Sequence, residues 1–337
     1  MISRWLGMLL VAASCLGGAL PAASAAVAAV QVTPLMPGVD TVPLPRQAQL
    51  LVPRSSVTIV QMAAGRLDGQ LEAPDAAVFP LSGDNELWIP IRLQNQSRQT
   101  AAWQLQVAQP SIDEVTLFDA RGQRWTESAA GDRIERSSWP RPGRFPCFDL
   151  QFEPGETRTL FLRVRSAIPS PVPLRVMTQS AADAADQEAD IAFGFVLGAL
   201  ALLVGACLVQ AAVYRDIAYF LYGSYALLLG IAFAALSGFA GPLLWGDYPE
   251  WNDTAKSVFP LAAAGVSVWL VRALCRVGTR AKTLSAVSAV LGTLVIGIAI
   301  VFAILRTFNP AVMALGMLTA ATTVLVIALS TWKRGDA

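Results

Sequence analysis

Histidine is absent from all 337 residues. That single absence removes the commonest metal ligand, the Ser-His-Asp and Cys-His nucleophile pairs, and the phospho-accepting side chain of a sensor kinase. Charge is scarce too: 15% of residues are ionised, and 25 basic side chains nearly cancel 24 acidic ones. With no basic field to hold a phosphate backbone, nucleic acid is not an expected partner. Cysteine numbers four, at positions 15, 147, 207 and 275, and only Cys147 falls in the polar part of the mature chain, so a disulfide within that part is excluded. No catalytic residue, metal site or cofactor is expected. What the chain has in excess is apolar residues, 54% of the total, the level of a membrane protein.

The apolar residues are unevenly spread. Positions 191–337 hold nine Lys/Arg and five Asp/Glu, against fifteen and nineteen in 26–190, so a polar half precedes a membrane half. Before both, residues 1–25 carry Arg4, an apolar run from 5 to 19 and the small-residue end Ala23-Ser24-Ala25. This predicts a secretory signal peptide cleaved after Ala25, because the run is shorter than the roughly 20 residues a span needs. Cys15 follows Ala12-Ala13-Ser14, a poor lipoprotein box, which leaves lipidation a minor alternative.

In the polar half the apolar residues alternate. Ile89, Ile91 and Leu93 oppose Trp88, Arg92 and Gln94; Trp103, Leu105 and Val107 oppose Gln104 and Gln106; Leu160, Leu162 and Val164 oppose Arg163 and Arg165. Val115 with Leu117, and Phe148 with Leu150 and Phe152, repeat the pattern. These are half-buried antiparallel strands. Asp119-Ala120-Arg121-Gly122 reads as a hairpin turn and Glu153-Pro154-Gly155-Glu156 as a second turn. With no convincing helix among them, short strands at this spacing predict a two-sheet β-sandwich over 26–178. Residues 140–146, with three prolines and two arginines, form a loop across one end.

The order Leu87-Trp88-Ile89-Pro90-Ile91-Arg92-Leu93-Gln94-Asn95, Val115-Thr116-Leu117-Phe118, Gly131-Asp132, Phe148-Asp149-Leu150, Glu153-Pro154-Gly155-Glu156 and Leu160-Phe161-Leu162-Arg163-Val164-Arg165-Ser166 resembles the type 2 extracellular domain of bacterial seven-transmembrane receptors with diverse intracellular signalling modules. The resemblance covers roughly 45–178. It implies a jelly-roll sandwich like a carbohydrate-binding domain, and a small ligand, a sugar being the first class, bound outside the cell. An aromatic face and planar hydrogen-bonding groups are what a sugar requires. The candidates are Trp88 and Arg92 on the outward strand face, Asp132 of the Gly131-Asp132 step, and Trp139, Arg141 and Arg144 on the proline-rich loop. For each, a purely structural role competes: a sheet cover, a turn or a solvated arginine.

Residues 179–190 are Ala-rich and acidic, suited to a short juxtamembrane helix or a flexible linker. Five apolar runs follow, at about 191–214, 218–240, 254–275, 283–305 and 310–332. Four exceed the span length without an ionised side chain, while Lys256 and Arg272 bracket the third and must snorkel to opposite interfaces. With the N-terminal half exported, Arg215, Arg272, Arg276, Arg280, Lys282, Lys333 and Arg334 fall on the cytoplasmic side and only Lys256 and Arg306 outside, as the positive-inside rule demands. Gly194, Gly198, Ala201 and Gly205 place small residues on one face of the first span, expected to pack another helix within the bundle, with homodimerisation the alternative. The outer loop 241–251 carries three aromatics at the interface and is placed to touch the sandwich.

The turn Tyr214-Arg215-Asp216-Ile217-Ala218-Tyr219 and that aromatic loop resemble the membrane domain of the same family, whose seven spans precede a cytoplasmic output module. Five spans here predict a receptor piece, or a reduced member that borrows output from a partner protein. The leading expectation is therefore a multi-pass inner-membrane sensory receptor whose partners are the bilayer, a small extracellular ligand and a cytoplasmic signalling module. A membrane-anchored carbohydrate-binding or envelope-assembly protein is the alternative, which five spans argue against. An integral-membrane enzyme or transporter would need a polar constellation within the spans, and none is visible.

Overall fold

The computed structural model describes residues 30–44, 49–72, 78–81, 85–121, 124–245, 248–277, 281–306 and 310–332. The expected signal peptide lies outside them.

Among the described residues, ten strands form two sheets. In the first, β1 (Val32–Leu35), β4 (Asn85–Asn95), β9 (Thr157–Arg165), β6 (Glu114–Arg121) and β7 (Arg124–Ala130) lie in that order, with β3 (Leu50–Pro53) also paired to β4. In the second the order is β2 (Thr41–Pro43), β10 (Leu174–Thr178), β5 (Ala101–Val107), β8 (Cys147–Phe152). All pairings are antiparallel except β1 with β4, which is parallel. The alternation read from the sequence is the pleat: Ile89, Ile91, Leu93, Trp103, Leu105, Val107, Phe148, Leu150, Phe152, Leu160, Leu162 and Val164 all enter one core between the sheets. At about 1.5–3 kcal/mol for each large side chain fully buried, this core needs no disulfide. The β6–β7 hairpin forms, but Asp119, Ala120 and Arg121, expected in its turn, are strand residues of β6, with Arg121 opposite Arg124.

The outer face of the first sheet is not bare. A five-residue helix, α1 (Ile59–Ala63), capped by Thr58 and Gln61 in a reciprocal box, lays Met62 over Trp88, Phe118 and Phe161. Trp88 points away from the main core as its register demands, yet it is 1% exposed, stacked on Phe118 at 5.4 Å. Its Nε1–H donates to the buried carboxylate of Glu86, which also accepts two hydrogen bonds from Arg165.

Among the described residues, five helices long and apolar enough to cross a membrane follow. The first, α2 (Gln179–Tyr214), begins on the residue after β10. Thr178 ends the strand and caps the helix, accepting from the Ala181 N–H, so residues 179–190 are the first three turns of one 36-residue helix with no separate linker. Next come α3 (Ile217–Leu236), α4 (Pro249–Leu274), α5 (Lys282–Leu305) and α6 (Pro310–Trp332). The second run ends earlier than expected because Gly238, at φ +83°, turns the chain there into a short π-helical turn at Gly241–Trp245. The third starts earlier, at Pro249, whose missing N–H is costless in a first turn.

α4 is the centre of the bundle and touches α3, α5 and α6, whereas α2 packs mainly on α3. Close approach occurs between Gly265 of α4 and Gly292 of α5: a Cβ on Gly265 would meet Ile296 at 2.5 Å and the Gly292 carbonyl at 3.0 Å. The expected packing face of α2 is different from this. Gly194, Gly198, Ala201 and Gly205 are all exposed, and a Cβ added at the three glycines meets nothing within 4 Å. The α2–α3 seam is built the other way round, with Cys207 and Leu200 of α2 against Gly223 and Gly230 of α3.

Candidate functional site

Ionisable groups from both halves of the chain converge at the junction of sandwich and bundle. Gly131 ends β7 at φ +150°, and any side chain there would strike the Asp113 carbonyl at 2.3 Å. That close passage lets the next two amides donate back, Asp132 N–H to Ile112 O and Arg133 N–H to Asp113 O, and fixes Asp113, Asp132 and Arg133 together. From the membrane side, the first two turns of α4 present Asn252, Asp253 and Lys256.

These residues interlock. The Lys256 ammonium donates to Asp132 Oδ2 and lies 3.6 Å from Asp253. Asn252 Nδ2 donates to the Asp132 carbonyl at 3.1 Å and its Oδ1 accepts from the Trp245 indole at 2.8 Å. Arg133 bridges Asp113 at 3.1 Å and Asp253 at 3.3 Å. Carboxylate oxygens of Asp113, Asp132 and Asp253 lie within 4.8 Å of one another, and the cations placed among them are the chain's own Lys256 and Arg133. Burial raises the Asp132 carboxyl to about 7: loss of solvent outweighs the Lys256 attraction, and Asp253 and Asp113 push the same way. Asp113 is likewise raised, by burial and then by Asp253. Asp132 Oδ1 is buried without a hydrogen-bond partner.

Beside this network is a cavity of about 320 Å³ whose walls come from both halves. Ser111, Asp113 and Arg133 line it from the sandwich, and Asp253, Lys256 and Met313 from the helices. Its polar groups could grip a small molecule by paired hydrogen bonds while the apolar side takes a C–H face.

A second contact lies nearby. The Arg144 guanidinium stacks over Phe239 at 4.9 Å, and Phe239 stacks on Phe193 of α2 at 3.9 Å. Burial lowers the pKa of Arg144. Gly238 is again required here, since a Cβ would reach Pro110 at 2.6 Å. Arg141 pairs with Asp183 of α2 at 2.5 Å and with Asp149 at 3.6 Å.

The six residues singled out by sequence therefore separate. Asp132, Arg141 and Arg144 are at the junction, and all three contact the helical part. Trp139 closes the lower edge of the sandwich core, its indole donating to Ile134 O and its ring under Arg136 at 4.7 Å. Trp88 is covered by α1, which corrects its assignment to an open sugar-binding face, and Arg92 alone is exposed on β4. Asp113, Arg133, Asn252 and Asp253 were not foreseen. The signal for the last two was present in Asn252-Asp253-x-x-Lys256, a polar patch on one helix face at the head of an apolar run. The aromatic loop does reach the sandwich, through the Trp245–Asn252–Asp132 hydrogen bonds. Cys147 is buried, its thiol pushed up to about 12 by burial, and is chemically quiet.

No curated protein matches the chain. Among solved structures, a Cry1Da tryptic core variant of Bacillus thuringiensis is similar at 8% identity with a TM-score of 0.23, over 44% of this chain and 24% of that one; so distant a likeness carries no argument. The chain spans about a quarter of that protein's length. Two family models match in succession. The extracellular domain 2 of seven-transmembrane receptors with diverse intracellular signalling modules covers residues 50–178, and the 7TM diverse intracellular signalling domain covers 189–337. The two-sheet domain, the five apolar helices and these consecutive matches agree: the chain belongs to the seven-transmembrane receptors with diverse intracellular signalling modules.

Proposed function

We propose that this membrane receptor senses a small polar ligand, a monosaccharide or similar polyol being the first class to test, in the cavity between sandwich and bundle. The sandwich faces outside the cytoplasm and the receptor itself carries out no chemistry; output falls to a cytoplasmic module. The observation that supports this reading is the cavity's shared wall, in which Asp113 and Arg133 from one half stand beside Asp253 and Lys256 from the other. A ligand there touches both halves at once, so its contacts differ between a closed and an open junction, and that difference in affinity is what a conformational equilibrium responds to. The excess of basic residues at the far end of the helices supports the orientation.

The test is a thermal-shift titration of the full chain in nanodiscs against neutral and acidic monosaccharides and free amino acids. A ligand raises the midpoint by mass action, and Asp113→Asn with Arg133→Gln removes the rise. A rise that survives in the double variant moves the ligand site elsewhere, and no rise with any compound defeats the proposed ligand class.

A further inference from the structure

At the junction cavity the charges do not balance. Three carboxylates, Asp113, Asp132 and Asp253, face two cations, Lys256 and Arg133. Acceptors are left over as well. Arg133 Nε reaches Oδ2 of both Asp113 and Asp253, the Ala167 N–H also donates to Asp113 Oδ2, and Lys256 donates to Asp132 Oδ2. Among the described residues no hydrogen bond reaches the other oxygen of any of the three. Asp113 Oδ1 has none, Asp253 Oδ1 has only the Lys256 ammonium at 3.6 Å, and Asp132, 4% exposed, buries an Oδ1 without a partner. A carboxylate oxygen out of water and without a donor costs free energy that a bound donor recovers.

The cavity beside them carries two further features. Arg133 makes its contacts through Nε, so its two terminal nitrogens, on a half-exposed side chain of the cavity wall, donate no hydrogen bond among the described residues. Ile168 of the sandwich, Leu236 at the end of α3 and Met313 of α6 make part of the lining apolar. Each feature excludes a class of ligand. An acidic sugar adds to the excess negative charge, a neutral polyol leaves it unmet, and a bare inorganic cation uses neither the Arg133 donors nor the apolar wall.

We propose that the ligand of this cavity is an amino sugar: its ammonium group donates to the free oxygens of Asp113 and Asp253, its hydroxyls accept from the Arg133 terminal nitrogens, and its C–H face lies on Ile168, Leu236 and Met313. This rests on the cavity being the ligand site and narrows the monosaccharide class proposed for it. An ammonium brings three donors and a full charge, and its bonds to carboxylates are about twice as strong as neutral ones. The charge also offsets Asp132, which has a carboxylate oxygen within 4.8 Å of the other two. Because Asp113 belongs to the sandwich and Asp253 to α4, the ammonium group ties the two halves together.

Glucosamine, glucose and N-acetylglucosamine differ at one carbon, which bears an ammonium, a hydroxyl or a neutral amide. A thermal-shift titration of the full chain in nanodiscs at pH 7 and matched ionic strength therefore isolates the charge. Glucosamine should bind about tenfold more tightly than either neutral sugar, and Asp253→Asn should bring the three within about twofold of one another. Ethanolamine, an ammonium without a sugar ring, should bind at least about tenfold more weakly than glucosamine. Equal binding of glucose and glucosamine by the wild type overturns the amino-sugar assignment and leaves the cavity a sugar site. Ethanolamine as tight as glucosamine, or a glucosamine preference unchanged in both Asp253→Asn and Asp113→Asn, overturns it too. Binding of none of these compounds defeats the ligand reading of the cavity together with it.

Discussion

Two helices connect the sandwich to the membrane in opposite ways. α2 is covalently continuous with β10 through Thr178, yet it is the least buried span, and a Cβ at Gly194, Gly198 or Gly205 meets nothing within 4 Å among the described residues. α4 has no chain connection to the sandwich, yet it is the most buried span, and through Asn252, Asp253 and Lys256 it carries the polar contacts to Asp132 and Arg133. A tether limits how far two parts can separate but does not set their relative orientation. Orientation is set by contacts that are specific in direction, and the buried charged ones belong to α4, whereas the Arg141–Asp183 pair of α2 is solvent-exposed. A movement at the sandwich base therefore enters the bundle at its centre, where α4 meets α3, α5 and α6.

The largest expected effect comes from removing the cation at that contact. Lys256→Gln leaves buried carboxylates facing one another with only the half-exposed Arg133 between them, and should cost about 3 kcal/mol, read as a fall of the melting midpoint in nanodiscs. A midpoint within a degree of wild type would mean that the junction is not closed in the bilayer. Next comes Gly265→Ala, whose Cβ collides with Ile296 and the Gly292 carbonyl; about 2 kcal/mol is expected, because backbone must separate.

The pH dependence has a definite sign. The Asp132 carboxyl rises from its ordinary value of 3.8 to about 7 when the junction is closed, so the closed form binds the proton more tightly than the open one. Its contribution is fully present below about pH 4 and is lost as pH rises through about 7. Asp113 acts in the same direction. The midpoint should therefore fall between pH 5 and pH 8, by the equivalent of about 2–3 kcal/mol, and Asp132→Asn should flatten most of that slope. A slope unaltered in Asp132→Asn assigns the titration to another group.

On α2 the expected effects are small. Gly194→Ala enters open space and Asp183→Asn breaks a solvent-exposed pair with Arg141, so each should move the midpoint by no more than about 0.5 kcal/mol. A large loss for Gly194→Ala in nanodiscs, restored on dilution, would show that this face packs a second copy and would bring α2 level with α4.

Much of the architecture was legible in the sequence because two periodicities carry it. Period 2 from Ile89 to Val164 marked the strands, since one face of each enters a shared core, and the near absence of charge after residue 191 marked the spans. The burial of Trp88 was hidden because alternation tells which face a side chain occupies, not what else covers that face; the cover, α1, is five residues long and too short to show a helical period. The junction was half visible. Asp132 was singled out and Lys256 was noticed as the outer charge of the third span, but their pairing joins residues 124 apart, and no local pattern encodes such a contact. The glycine stripe of α2 makes no close helix contact among the described residues for a related reason: small residues permit close approach without requiring it, and within the chain the close approach is made at Gly265 and Gly292.

The central claim, that the sandwich is held to the bundle through α4, is tested most directly by a double-mutant cycle of Asp132→Asn and Lys256→Gln on the unfolding of the full chain in nanodiscs at pH 8, where Asp132 is ionised. A coupling energy of about 2 kcal/mol, shrinking at pH 5 as Asp132 takes up its proton, is the predicted result. Additive effects at pH 8, with no coupling beyond about 0.3 kcal/mol, would contradict it.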